Sequence, residues 1–129
     1  DLSRYNAISY DTGNEVIAHL GEIISDSVRA DDRVFRWLSG DEFIVVFHHV
    51  DLEQSINLCE RIRLNIHSSK TYDLSVSIGV VHYPTDGHAL DDLIRKSEEA
   101  NRTAKRRGKN RVVSWQEVDE KKSIHSEIT

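Results

Sequence analysis

The chain has 129 residues, 30% of them charged and 38% hydrophobic, with a formal charge of −5 at pH 7. That length suits one domain with a single two-layer core, and the negative balance argues against a general nucleic-acid binder. No apolar run approaches the roughly 20 residues of a membrane span, no secretory signal opens the chain, and the one cysteine excludes an intramolecular disulfide and fits a reducing compartment.

In chain order, Val16, Ile17, Leu20, Ile23, Ile24 and Val28 recur at helical spacing and predict a helix over 14–28. Two β-branched and aromatic runs follow, Val34-Phe35-Arg36-Trp37-Leu38 and Phe43-Ile44-Val45-Val46-Phe47. Ser39-Gly40-Asp41-Glu42 joins them, which is a hairpin signal. A second helix is expected over 52–67, with Leu52, Ile56, Cys59, Ile62 and Ile66 inward. Leu74, Val76, Ile78 and Val80 alternate with Ser75, Ser77 and Gly79 as a half-buried strand. After the Pro84–Gly87 loop, a third helix is expected over 90–107, carrying Leu90, Leu93, Ile94, Ser97, Ala100 and Ala104. Gly108 stops it, and Arg111-Val112-Val113 reads as a last strand. From Gln116 onward the polar, aperiodic stretch reads as a tail or linker, so the domain is expected over 1–115 and the tail over 116–129. The order helix, strand, strand, helix, strand, helix, strand describes an α/β (α+β) sandwich with helices over a mostly antiparallel sheet. Residues 1–13 are too polar for a buried first strand.

Two acids on a hairpin turn, Asp41 and Glu42, invite a metal reading, because a sheet rim rarely carries paired carboxylates without a cation. Gly-Asp is also ordinary turn chemistry. The basic run from Arg102 to Arg111 has a solvated face as its plain reading, and Lys105 on a last helical turn complements the helix dipole. Arg29 and Asp32, read plainly, form an exposed ion pair at a helix end, contributing roughly 0–1 kcal/mol. His48-His49 read as exposed, and Cys59 as core packing.

The Ser39-Gly40-Asp41-Glu42-Phe43 turn, its two strands and the later Ala104-Lys105 with Gly108-Lys109-Asn110 resemble the GGDEF family, the diguanylate cyclase domain. Asp1 to Ser9 resembles the end of that family's first strand, and Gly13-Asn14-Glu15-Val16-Ile17 the opening of its first helix. Arg29-Ala30-Asp31-Asp32 matches its RxxD product-binding motif, and Leu74 to Val80 its strand ending in Ser-x-Gly. The resemblance extends to about Trp115.

The resemblance implies a nucleotidyl-cyclase-like βαββαβ fold and a bacterial second-messenger enzyme. Two copies, as a homodimer, would each bring one GTP and join them into cyclic di-GMP with Mg²⁺ or Mn²⁺. Asp1, the Leu2 carbonyl, Asp41 and Glu42 would hold the metal, and Glu42 would help deprotonate the attacking hydroxyl. Ser39 and Gly40 would lie against the nucleotide, Lys105 and Lys109 on the terminal phosphates, and Ser9 and Asn14 at the guanine. Arg29, Asp32 and Arg61 would form an inhibitory cyclic di-GMP site. The implied setting is cytoplasmic, with sensor or phosphodiesterase domains attached and no nucleic-acid partner.

Several positions depart from the pattern. Ser9 and Asn14 replace the guanine-reading Asn and Asp, and a short side chain leaves a purine's edge unpaired. Leu38 adds one residue before the turn, Lys109 replaces an arginine, and the stretch around Asp11-Thr12 is short and reads as a loop. A degenerate module that binds nucleotide or mediates dimerisation to regulate an attached domain is therefore the second reading. An RNA-binding sheet is the third, opposed by the absence of stacking aromatics on the Leu74–Val80 strand.

Overall fold

The computed structural model describes residues 10–37 and 41–128, with side chains over 13–37 and 41–121. Its elements are α1 (Tyr10–Ser27), β1 (Arg33–Trp37), β2 (Glu42–Val46), α2 (Leu52–His67), β3 (Ser77–Val80), α3 (Leu90–Arg106), β4 (Arg111–Ser114) and α4 (Trp115–Ile128). This is the expected mixed α/β architecture. Residues 1–9, which resemble the end of the family's first strand and the loop after it, lie outside the described residues.

β1 and β2 pair antiparallel, in unbroken register from Arg33↔Val46 to Trp37↔Glu42. β3 and β4 pair parallel, with Gly79 opposite Val113. The described ladders are thus one antiparallel and one parallel. The parallel pair follows from the connection: α3 carries the chain back along the sheet before β4 begins, as a crossover must.

Apolar spacing decides the layers. Val16, Ile17, Leu20 and Ile24 of α1 meet Ile62 and Ile66 of α2 in one buried cluster, with Val34, Phe43 and Ile78 packed against it. The helices run antiparallel: near the end of α1 Ser27 accepts hydrogen bonds from Arg61 and Asn65, while His19, farther back, meets Ser69 just beyond α2 at 3.1 Å. α2 begins with a capping box, in which the Gln54 N–H donates to the Asp51 carboxylate at 2.7 Å and the Asp51 N–H to the Gln54 side chain at 2.9 Å.

α3 covers the other face of β3. Ile78 faces the α1–α2 cluster, so strand alternation turns Gly79 toward α3. A Cβ at Gly79 would stand 2.2 Å from the Ser97 carbonyl oxygen and 2.4 Å from the Asn101 nitrogen, so only glycine admits this approach. Asn101 locks the contact, its amide donating to the Ser77 carbonyl at 2.7 Å. The strand is half-buried as read, with Ser77, Ile78 and Gly79 partly exposed, although a helix packs on each of its faces.

Three sequence expectations change. The helix begins at Tyr10 rather than 14, so Asp11-Thr12 is its first turn and not a loop. Leu90 is 73% exposed instead of packed, because α3 meets the sheet farther along, from Ser97 to Ala104. The stretch after Gln116, read as a tail, belongs to α4. Trp115 and Val118, three residues apart, pack on Ala100 and Ala104, and Arg107 pairs with Glu117 at 2.6 Å. Tertiary contact, not an apolar repeat, holds that first turn.

Candidate functional site

The hairpin register puts Glu42 at the first position of β2, opposite Trp37, and Asp41 in the turn just before it. Both acids are exposed. Two hard carboxylates at one strand mouth suit a Mg²⁺-class cation in their donor chemistry. Among the described residues no group of three His, Cys, Asp or Glu side chains is placed to hold a metal. A cation at Asp41 and Glu42 therefore needs further donors. The expected ones, Asp1 and the Leu2 carbonyl, lie outside the described residues, as do Ser9, Leu38, Ser39 and Gly40. Asn14 is half-buried and sits one turn inside α1 rather than at the helix opening.

The lysines surround a helix end built by hydrogen bonds. The Lys109 N–H donates to the Ala104 carbonyl at 3.0 Å and the Gly108 N–H to the Lys105 carbonyl at 3.3 Å. This double bond pattern closes a helix whose next residue turns left-handed, and Gly108 meets that need with φ 121°. Lys105 is exposed on the last turn and Lys109 just past the cap. One cap thus carries both lysines, one on its last helical turn and one just past it. The carboxylates belong to the other two-stranded ladder, and no ladder bond joins the two sheets among the described residues.

The Arg29–Asp32 pair differs most from its plain reading. The Asp32 side chain is 1% exposed, while that of Arg29 is 45% exposed. Asp32 receives the Arg29 guanidinium through Nε and Nη2, each at 3.3 Å, together with the backbone N–H groups of Arg29 at 3.0 Å and His48 at 3.2 Å. Burial alone pushes this carboxyl up, but the hydrogen bonds from Arg29 and His48 outweigh it and hold it below the usual carboxylate range. The same hydrogen bond to Asp32 raises Arg29 above the ordinary arginine value. Arg29 also donates to the His48 carbonyl at 2.5 Å. An exposed ion pair was expected; a buried anion tying the exit of α1 to the end of β2 is found.

Arg29 and Arg61 share one open cleft of about 340 Å³, completed by Val50, Gln54, Asn57 and Leu58. Arg61 is steadied by donating to the Ser27 carbonyl at 2.6 Å. Asp32 does not line this cleft; it orients Arg29, which does. The sequence reading missed Arg63, which joins α2 to the turn after α3 by donating to the Asn110 side chain at 3.0 Å. Only the asparagine directly after Gly108-Lys109 hinted at it.

Comparison with known proteins shows the family and the fold. The family described as diguanylate cyclase, GGDEF domain, matches residues 6–111, and the chain belongs to that family. Diguanylate cyclase DosC of Escherichia coli strain K12 is 34% identical over 127 residues, covering 89% of this chain and 27% of DosC. The chain therefore spans about a quarter of the length of that relative. An EAL/GGDEF domain protein from M. capsulatus is similar in structure, with a TM-score of 0.74, 25% identity and coverage of 88% of this chain and 76% of that one. The GGDEF domain of DgcB from Caulobacter crescentus, solved in complex with c-di-GMP, shares the fold with a TM-score of 0.77 at 21% identity, covering 89% and 72% of the two chains.

Proposed function

We infer that this GGDEF domain is the catalytic part of a bacterial diguanylate cyclase, acting in the cytoplasm as a homodimer and joined to other domains. The observation that carries the reading is the pair of exposed carboxylates, Asp41 and Glu42, at the mouth of a regular hairpin. Each copy binds one GTP. The 3′-hydroxyl of one attacks the α-phosphate of the other, a new P–O bond forms, the α–β phosphate bond breaks and pyrophosphate leaves. A second such step closes the ring of cyclic di-GMP. The domain's task is positioning and charge balance, which dominate phosphoryl transfer. Asp41 and Glu42, with Asp1 and the Leu2 carbonyl, would hold Mg²⁺ or Mn²⁺, which when bound neutralises phosphate charge. Glu42 would receive the hydroxyl proton, Lys105 and Lys109 would hold the terminal phosphates, Ser39 and Gly40 would line the nucleotide, and Ser9 and Asn14 would face the guanine.

The test is to incubate the purified dimeric protein with GTP and Mg²⁺ and to follow cyclic di-GMP and pyrophosphate by chromatography. Both are expected, and Asp41→Asn should abolish them with folding intact. GTP binding without product from a dimeric preparation overturns the cyclase reading.

A second reading is supported by the cleft shared by Arg29 and Arg61. Two guanidinium groups on one open surface suit the phosphates and guanine edges of cyclic di-GMP. This reading makes the domain a product-sensing module, with or without turnover. Calorimetry with cyclic di-GMP should show binding that Arg29→Ala and Arg61→Ala each weaken; unchanged binding in both removes it.

A further inference from the structure

Three consecutive residues after α3 have positive φ: Gly108 at 121°, Lys109 at 66° and Asn110 at 48°. Glycine accepts that region readily and a lone asparagine tolerates it, but two successive non-glycine residues there, a lysine first, need the surroundings to hold them. The helix cap explains Gly108 and directs the Lys109 N–H to the Ala104 carbonyl. It says nothing about Asn110.

Arg63 supplies the missing constraint. It lies on α2, 47 residues before Asn110, and donates from Nη1 to the asparagine's Oδ1 at 3.0 Å. Its other two nitrogens are occupied on its own helix, where Glu60 accepts from Nε at 3.1 Å and from Nη2 at 2.7 Å. The guanidinium is thus neutralised and aimed before it reaches across, and its side chain is only 17% exposed. Beside Asn110 opens a cleft of about 240 Å³, lined also by His67, Asp73, Leu74 and Ser75. The turn has room to swing there once the Arg63 bond is lost.

We propose that Arg63 is a positioning residue that, through Asn110, holds the 108–110 turn in its left-handed form and so places Lys109 to act with Lys105 on the terminal phosphates of the nucleotide. The proposal rests on the phosphate reading of those two lysines. Arg63 itself touches no phosphate; its charge is spent on Glu60.

The experiment has two arms on the full chain. In the first, NMR reads the sign of φ at Asn110 from its amide–Hα coupling and intraresidue cross-peak, in wild type, Arg63→Met and Arg63→Lys. Both variants should lose the positive-φ signature, since lysine keeps the charge but not the fork. An unchanged signature in both overturns the proposal. In the second, calorimetry compares GTP with GMP. Arg63→Met should weaken GTP about tenfold, the effect of one lost charge-assisted contact, and leave GMP nearly unchanged. Adding Asn110→Gly, which favours left-handed backbone without any side-chain partner, should restore the GTP preference. Failure of that rescue while residue 110 keeps positive φ also overturns the proposal. Wild-type protein that binds GTP no tighter than GMP would overturn the phosphate reading instead, and the NMR arm then judges the Arg63 clamp by itself.

Discussion

The carboxylate of Asp32 accepts the backbone N–H of His48 at 3.2 Å, so the chain leaving α1 and the chain leaving β2 converge on one buried anion. Asp32→Ala leaves two backbone N–H groups, those of Arg29 and His48, without their acceptor. A loss of about 1–3 kcal/mol of stability is expected, read as a lower midpoint in urea unfolding with an unchanged slope.

The same anion makes stability depend on pH. The folded-state value of Asp32 lies below that of the unfolded chain, so its stabilisation is complete above the unfolded value of about 4. It is lost as pH falls through the folded value. Asp92, held down by hydrogen bonds from Arg95 and Lys96, acts in the same direction. Urea titrations at a series of pH values below about 5 should show wild type losing stability more steeply than Asp32→Asn. Parallel curves would remove Asp32 as the acid-sensitive group.

Cys59 is buried on α2, and burial raises its thiol to about 12. Only thiolate reacts, so a disulfide reagent at about pH 8 should leave the native protein unmodified and label one thiol per chain in urea. Rapid labelling of native protein would show that α2 opens at this position.

Gly79→Ala tests the contact between β3 and α3. The added methyl meets helix backbone rather than a flexible side chain, so the strand must move off the helix. The expected cost is about 3 kcal/mol, the upper end for overpacking, seen as a drop in thermal midpoint. Ser75→Ala, just before the strand and half-exposed, serves as the control and should change the midpoint little.

Lys105→Ala should reduce cyclic di-GMP formation sharply while shifting the thermal midpoint hardly at all, since the side chain is exposed. Equal loss of activity and stability would favour the helix-dipole role instead.

The sequence by itself determined most of the elements and the family. Helices α1 and α2 follow from apolar spacing, the hairpin from two β-branched runs around a glycine turn, and the end of α3 from Gly108. These signals are local: each lies within a few residues of what it specifies. The ordered partial motifs added the family, because several weak patterns in one order are specific together. Tertiary structure decided the rest. Asp32 became a buried hub through His48, sixteen residues away, and Asn110 acquired Arg63 from 47 residues away. A polar tail became a helix because Trp115 and Val118 found Ala100 and Ala104. Burial and partnership of a polar group depend on which distant segment arrives beside it, and that is a property of packing, which no local pattern carries.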